Sequence, residues 1–418
     1  MTSQRTKRLL AGPSSGTGQE SLVDHLERLG PLPPTAHRAG LVSSLESSGL
    51  LGRGGAGFPV GQKWRSLAEQ DLGRPIVVVN GAEGEPRSAK DRALMTLRPQ
   101  LVLDGAVLAA DAIGADEIVI YIGEEHTAAR AAVARALEER GREVGRVVRV
   151  VAAPIGYISG EASAAVSYIN GGSARPTASP PRPSESGVKR RPTLVQNVES
   201  LAYAALIARF GDGWYRSVGR ADTAGTALVT IGGAADRAGV WEIELGTTVG
   251  DIAEMAGASG SRTQAVLMGG YFGAWADVGD SWDLPLDPAT MRERGLAFGC
   301  GMVSFLAADD CGVSATAHVM GYMAKESAGQ CGPCVHGLRS IADATANLAG
   351  GTAATGELQD VERWTTQIPG RGACRHPDGA VALMVSALNV FGDEFAHHQR
   401  TGRCSITGSR VADVVQVA

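Results

Sequence analysis

A chain of 418 residues is longer than one hydrophobic core usually organises, and its 44% hydrophobic content is enough for two or three domains. A net charge of -5 with no basic stripe excludes nucleic acid as a partner, and six cysteines in so long a chain exclude a disulfide scaffold. The absence of a run of about 18 uncharged apolar residues, and an opening MTSQRTKRLLAGPSSGTG without an apolar core, predict a soluble, cytoplasmic protein with no direct membrane span.

Residues 1–35 read as an N-terminal arm with one short helix near Glu20 to Arg28, followed by a helical pattern from Ala36 to Ser48 that breaks at GLLGRGGAGF. Strand and helix signals then alternate. PIVVVNG (75–81) is followed by a helix across Ala93 to Ile113, EIVIYIG (117–123) by a helix from His126 to Arg140, and VVRVVAAP (147–154) closes the series. Short β-branched runs separated by longer helices predict a parallel sheet covered on both faces, hence an α/β domain over 36–222. The Pro-, Ser- and Arg-rich stretch 173–192 reads as a loop. TALVTIGG, VWEIELG, a helix from Val249 to Met255 and AVLMGG form a small α+β module of the ubiquitin-like kind over 223–300. Residues 301–418 read as a helical bundle.

Four polar segments fall at element ends in the α/β domain. LGRGGAGFPVGQKW (51–64) offers successive backbone N–H groups to an anion, with Arg53 and Lys63 adding charge; it fits neither the Walker pattern nor a clean G-x-G-x-x-G. Taken alone it reads as a turn between helices. VVVNGAEGEPRSAKDR (77–92) crowds Asn80, Glu83, Glu85, Lys90 and Asp91 at the carboxyl end of a strand, where parallel sheets bind ligands. APIGYISGEASA offers Tyr157, Gly160 and Glu161, and RPTLVQNVESLA places Gln196 and Asn197 at a helix start.

These four segments, in this order, resemble the FMN-carrying, NADH-oxidising subunit of respiratory complex I (the F subunit of NADH-quinone oxidoreductase), a family shared with NAD-linked hydrogenases and formate dehydrogenases. The similarity is carried by GRGGAGF-x2-G-x-KW, N-x2-EGEP-x3-KDR, Y-I-x-GE and RPT-x-V-x-NVE, then by ES-x-G-x-C-x-PC at 326–334, covering about residues 35–400. The resemblance implies an FMN-binding α/β domain, an SLBB-type ubiquitin-like module and an iron-sulfur bundle. It implies cofactor contacts at Gly52, Arg53, Gly54, Gly55, Ala56, Gly57, Phe58, Lys63, Asn80, Glu83, Tyr157, Gly160, Glu161, Gln196 and Asn197, with Glu85, Tyr157 and Glu161 as the expected catalytic groups. Departures fall on the dinucleotide side. Ser66 and Arg182 stand where the family stacks aromatic rings, and Glu161 is followed by Ala162 where the family has a second glutamate, so NADPH, or no dinucleotide, is permitted beside NADH.

All six cysteines lie in the last third, and Cys331-x-x-Cys334 by spacing alone leaves open a redox dithiol, half a zinc site completed by His336 or His376, or part of a cluster ligand set. The resemblance selects the last. The family's four cluster cysteines correspond here to Ala328, Cys331, Cys334 and Cys374, so the metal ligands are the three cysteines, holding a 4Fe-4S cluster with a foreign fourth ligand or a 3Fe-4S cluster. His376 reads as substitute ligand, polar tuner or exposed loop residue; Cys300, Cys311 and Cys404 read as inert thiols. The expected function is electron transfer from NAD(P)H through FMN to a ferredoxin, a two-iron iron-sulfur subunit or a larger redox complex. Two alternatives are an electron-transfer subunit that oxidises no nicotinamide and an assembly scaffold without catalysis.

Overall fold

Four short runs rich in Val, Ile and Leu pair into one parallel sheet. The computed structural model describes residues 7–13, 19–34, 40–70 and 73–407, which divide into two compact units: Met1–Thr230 with Gly239–Thr247 and Leu286–Ala289, and Ile231–Ala238 with Thr248–Pro285 and Thr290–Ala418.

In the first unit, helices α1 (Leu22–Leu29), α2 (Leu41–Ser48) and α3 (Val60–Ala68) precede β1 (Ile76–Gly81). Ser21 and Asp24 form a reciprocal capping box that starts α1. The expected start of the second helix at Ala36 lies outside the described residues. Next come α4 (Lys90–Leu97), α5 (Pro99–Ile113), β2 (Glu117–Gly123), α6 (Thr127–Arg140), β3 (Val147–Ala153) and α7 (Ala162–Ile169). β4 (Thr193–Asn197), α8 (Val198–Tyr215), most of β5 (Thr226–Gly233) and β6 (Gly239–Glu244) follow. The sheet order is β3-β2-β1-β4, all parallel. Strand order therefore reverses between β1 and β4, and Asn80 pairs in register with Asn197 at the carboxyl ends of these two strands. Such a switch point opens a crevice in which parallel sheets bind ligands.

Two expectations are corrected. The helix expected from Ala93 to Ile113 is two helices that meet at 98°, because Pro99 has no N–H and holds Arg98 out of the helical region. TLVQN, expected as the approach to a helix, is the strand β4; its five residues follow a proline-rich loop and are too few to show a period. Asn197 does start the helix, as its N-cap.

α5 and α8 cover one face of the sheet almost backbone to backbone. A Cβ at Gly105 would fall 2.0 Å from the Leu201 carbonyl oxygen, so only glycine permits the approach. Asp104, beside it, is buried among three cationic groups: His25 Nε2 at 2.8 Å, Arg140 at 2.7 Å and Arg209 at 2.6 Å. Arg209 also donates to the carbonyls of Leu29 and Gly30, so this one carboxylate ties α1 to α5, α6 and α8.

The second unit holds α9 (Val249–Ala256), β7 (Thr263–Met268), β8 (Ala274–Asp277), α10 (Val278–Ser281), most of α11 (Pro288–Glu293) and β9 (Met302–Ala307), with β7 antiparallel to both β8 and β9. Four longer helices end the described chain: α12 (Gly312–Lys325), α13 (Arg339–Gly350), α14 (Glu357–Gln367) and α15 (His376–Thr401). α15 is long and apolar enough to cross a bilayer by length and composition. It packs on α12, α13, α14 and β8, and it buries His376 and His398, which reads as the spine of a helical bundle.

Burial alone would raise the pKa of Asp104, but His25, Arg140 and Arg209 hold it down at about 2. A depressed carboxylate contributes stability that is present above its unfolded pKa of about 4 and is lost as pH falls through the folded value. Asp104→Asn is expected to cost about 3–5 kcal/mol, because it leaves buried cations uncompensated, and to flatten the pH dependence of urea unfolding between about pH 4 and pH 2.

Candidate functional site

The glycine-rich loop is closed at its base by backbone pairing: Gly52 N–H donates to the Phe58 carbonyl at 2.9 Å, and Leu51 bridges Pro59. Gly55 and Gly57 take positive φ, and Gly54, Gly55 and Ala56 are exposed, as is Phe58. A run of small residues thus leaves backbone N–H groups reachable at the loop tip. Gly54 lies against Asn197, since a Cβ there would stand 3.3 Å from the Asn197 Cβ, which sets the loop over the carboxyl end of β4.

Asn80 and Asn197 fix the neighbouring loops. Asn80 donates to the Gly160 carbonyl at 2.8 Å, joining the end of β1 to the helical turn Tyr157–Gly160. Asn197 accepts from Glu199 N–H at 2.9 Å as the cap of α8 and donates to Asp91 at 2.7 Å. Gly84 passes so close to the same turn that a Cβ would fall 2.4 Å from the Tyr157 carbonyl oxygen. The switch point, the 82–86 loop, the 156–160 turn and the glycine loop are therefore one connected rim.

Three residues expected at this rim have their charged ends engaged elsewhere. Arg53 is buried and turned into the core, donating to Tyr215 Oη at 3.3 Å and the Thr226 carbonyl at 3.2 Å and pairing with Glu199 at 3.5 Å. Glu83, at φ 45°, accepts from the N–H groups of Asp91 and Arg92 at 2.9 and 3.0 Å and from Ser88 at 2.7 Å, capping the first turn of α4. Glu161 is exposed and caps α7 through Ala164 N–H at 2.9 Å. Glu85 is buried, and Tyr157 and Gly160 are half-buried. Ser66 turns its hydroxyl back to the Lys63 carbonyl, and Arg182 is exposed.

Lys63 and Gln196 differ from these. The Lys63 ammonium donates to the Val195 carbonyl on β4 at 2.5 Å and forms no ion pair among the described residues, and burial pushes its pKa down to about 8. Gln196 is 4% exposed, and its Oε1 has no hydrogen-bond partner among the described residues. Lys90, by contrast, is buried between Asp91 at 2.6 Å and Glu199 at 2.9 Å; burial alone would lower its pKa, but those carboxylates raise it, so it stays charged and structural. An unpaired cation and an orphaned amide oxygen beside a rim of glycine N–H groups fit a polar, anionic cofactor.

In the second unit, Cys331 precedes and Cys334 lies in a wide helical turn of π type over Pro333–Leu338, and their side chains are in hydrogen-bond contact. Burial pushes the Cys334 thiol up to about 12, with Cys331 and Cys374 adding to it. Cys331 is lowered against burial by the N–H groups of Ala373 and Cys334. Cys331 and Cys334 touch, Cys374 acts on Cys334 electrostatically and its neighbour Ala373 bonds Cys331, while Ala328 is buried; three thiols in one neighbourhood fit a cluster held by three cysteines. His376 is no exposed loop residue: it is 2% exposed, its Nε2 meets the Met323 carbonyl at 2.7 Å, and its ring packs edge-on to Phe272. Cys311 and Cys404, read from the sequence as inert thiols, lie together with Glu394 and His398. The one sequence signal for that group was the i, i+4 spacing of Glu394 and His398 on a helix.

Replacing Gly84 by alanine is expected to force the 82–86 loop and the 156–160 turn apart. Urea unfolding of the cofactor-free chain should lose about 1–3 kcal/mol, with the two loops becoming the first protease-sensitive segments.

Residues 45–205 match the family model described as the Nuo51 FMN-binding domain, and residues 314–398 match the NADH-ubiquinone oxidoreductase-F iron-sulfur binding region. The chain is 30% identical over 379 residues to the F 2 subunit of NADH-quinone oxidoreductase of Rhizobium meliloti, covering 87% of this chain and 90% of that relative. It is 32% identical to the F subunit of NADH-quinone oxidoreductase of Salmonella typhimurium, covering 85% and 83%. Among solved structures, an NAD+-reducing nickel-iron hydrogenase in its air-oxidized state superposes with a TM-score of 0.81 at 27% identity over 91% of this chain; the chain spans 66% of the length of that hydrogenase chain. The chain therefore belongs to the family of NADH-quinone oxidoreductase F subunits.

Proposed function

We propose that this protein takes a hydride from NAD(P)H onto FMN held at the β1/β4 switch point and passes electrons singly through a cluster on Cys331, Cys334 and Cys374 to an iron-sulfur partner. The observation that carries it is Lys63 bonded to the carbonyl next to Gln196: among the described residues a cation without a carboxylate and a buried amide oxygen without a donor, at the end of β4 against which the glycine loop lies. When bound, FMN supplies the exchange between two-electron and one-electron chemistry, and the cluster supplies the single-electron exit.

The chain's own residues provide placement. The N–H groups of Gly54, Gly55, Ala56 and Gly57 and the Lys63 ammonium would hold the anionic part of the cofactor, Gln196 and Asn80 its polar ring edge, and Phe58 the open side. Gly52 closes the loop, Arg53 and Glu83 act from behind the rim, and Asn197 and Gly160 shape it. Glu85, Tyr157 and Glu161 would be the catalytic groups that a nicotinamide meets. Glu161 is engaged as a helix cap and Ala162 adds no second carboxylate, which supports acceptance of NADPH beside NADH.

The residues from β5 to β8 are read as an SLBB-type module within 223–300, between an FMN domain over 36–222 that follows the 1–35 arm and an iron-sulfur bundle over 301–418. No second cluster motif is present in the sequence, so electrons leave to a ferredoxin or a two-iron subunit, within a larger redox complex, in the cytoplasm.

Anaerobically purified protein should carry flavin with iron and acid-labile sulfide. Ala328→Cys should change the cluster's EPR signal, because it restores a fourth thiolate. A flavin-containing but iron-free chain would refute the cluster, and an unchanged spectrum would refute the place given to Ala328. Lys63 adds a pH test. Its folded pKa is lowered, so the unfolded chain holds more protons between about pH 8 and 10.5, and the folded state gains stability as pH rises through that window. The same loss of charge weakens an anion's hold. FMN affinity should therefore fall as pH rises past about 8. In Lys63→Met it should be about tenfold lower at pH 7 and nearly flat with pH.

A further inference from the structure

Cys311, Glu394, His398 and Cys404 each offer one ligand atom, and these atoms all lie within 4.8 Å of one another inside the second unit. Cys311, His398 and Cys404 are 4%, 1% and 1% exposed, and the Glu394 side chain is 12% exposed. None of the four belongs to the Cys331, Cys334 and Cys374 set. Cys311 and Cys404 also lie outside the matched iron-sulfur region at 314–398.

We infer that these four residues form a closed, structural zinc site that pins the two ends of the bundle. The donor set of two thiolates, one imidazole and one carboxylate oxygen is that of a tetrahedral zinc centre. The spacing agrees. Cys311 Sγ lies 3.5 Å from His398 Nε2, and zinc-sulfur and zinc-nitrogen bonds at a tetrahedral angle require a separation of about 3.5 Å. Glu394 Oε1 lies 3.0 Å from the same nitrogen, a hydrogen-bond distance that would open to about 3.3 Å when both bind zinc.

The surroundings are those of a supported metal site. His398 Nδ1 meets the Leu348 carbonyl at the end of α13 at 2.9 Å, which sets the ring so that Nε2 faces the other three donors. Each sulfur receives a backbone N–H at 3.4 Å, from Ser314 onto Cys311 and from Thr407 onto Cys404. Such bonds spread thiolate charge. Ser405 N–H donates to Glu394 Oε1 at 2.8 Å, and the Ser405 hydroxyl donates to the other carboxylate oxygen.

The ligands come from separate places in the chain. Cys311 caps the first turn of α12, Glu394 and His398 stand one turn apart on α15, and Cys404 lies in the turn after it. A divalent cation here would join the start of the bundle to its end. Binding exchanges the two thiol protons for the metal and releases them to solvent, so affinity falls as pH is lowered.

Zinc content and the zinc-edge X-ray absorption spectrum of the full-length protein, grown with iron and zinc both supplied, test this without interference from iron or flavin. The expected result is about one zinc per chain, with two sulfur neighbours near 2.3 Å and the remaining neighbours nitrogen or oxygen near 2.0–2.1 Å. Cys404→Ser should lower zinc content about tenfold while iron and flavin stay, and Cys334→Ser should lower iron while zinc stays. Should Cys404→Ser fail to accumulate, the wild-type spectrum decides alone. Absence of zinc, a spectrum without the two sulfur neighbours, zinc that follows Cys334 instead of Cys404, or a Cys311–Cys404 disulfide in non-reducing peptide maps would each overturn the site.

Discussion

Glu199 is fully buried in the first turn of α8, and three separate pieces of the first unit are fixed around its carboxylate. Lys90 at the start of α4 lies 2.9 Å away, the Leu228 N–H of β5 donates at 3.0 Å, and Arg53 from the glycine loop pairs at 3.5 Å. A carboxylate in a low-dielectric interior tolerates burial only when its charge is met, so the two cations and the N–H are drawn to it and to one another's segments. The consequence for function is geometric. The Arg53 side chain is the anchor that leaves the neighbouring glycines free to face outward, and Lys90 sets α4 so that its first turn receives Glu83. Charges that look in the sequence like ligand contacts are in part the frame that holds the ligand-facing backbone.

Lys63 stands apart from that frame because its charge is not met. Burial without a carboxylate lowers its pKa to about 8, a condition that an arriving anion relieves. The orphaned oxygen of Gln196 has the same character: its desolvation is uncompensated in the protein alone. Binding a polar anionic cofactor at this rim would remove both penalties together.

Much of the first unit was legible in the sequence, since IVVVNG and EIVIYIG are continuous apolar runs that only a sheet covered on both faces accommodates. β4 was not legible, because five residues after a proline-rich loop carry no period. The break at Arg98 was marked by Pro99, yet the apolar spacing on both sides masked it. The sequence showed where backbone could approach a ligand, at the glycines and at Asn197, but it did not show where the long side chains of Arg53 and Glu83 bond, which is to Tyr215, Thr226 and Glu199 and to the first turn of α4. Sequence spacing cannot choose such partners; burial and the available counter-charges do. Cys311 and Cys404 illustrate the same limit, for residues 93 positions apart become neighbours only through the packing of α12 on α15.

The most direct test of the account is anaerobic stopped-flow reduction of the FMN-loaded, full-length protein by NADH and by NADPH. Rapid bleaching of the flavin band by at least one of them, followed by slower loss of the iron-sulfur absorbance, is the predicted result. Flavin that stays oxidised with both nicotinamides, yet is reduced by a ferredoxin, would contradict it.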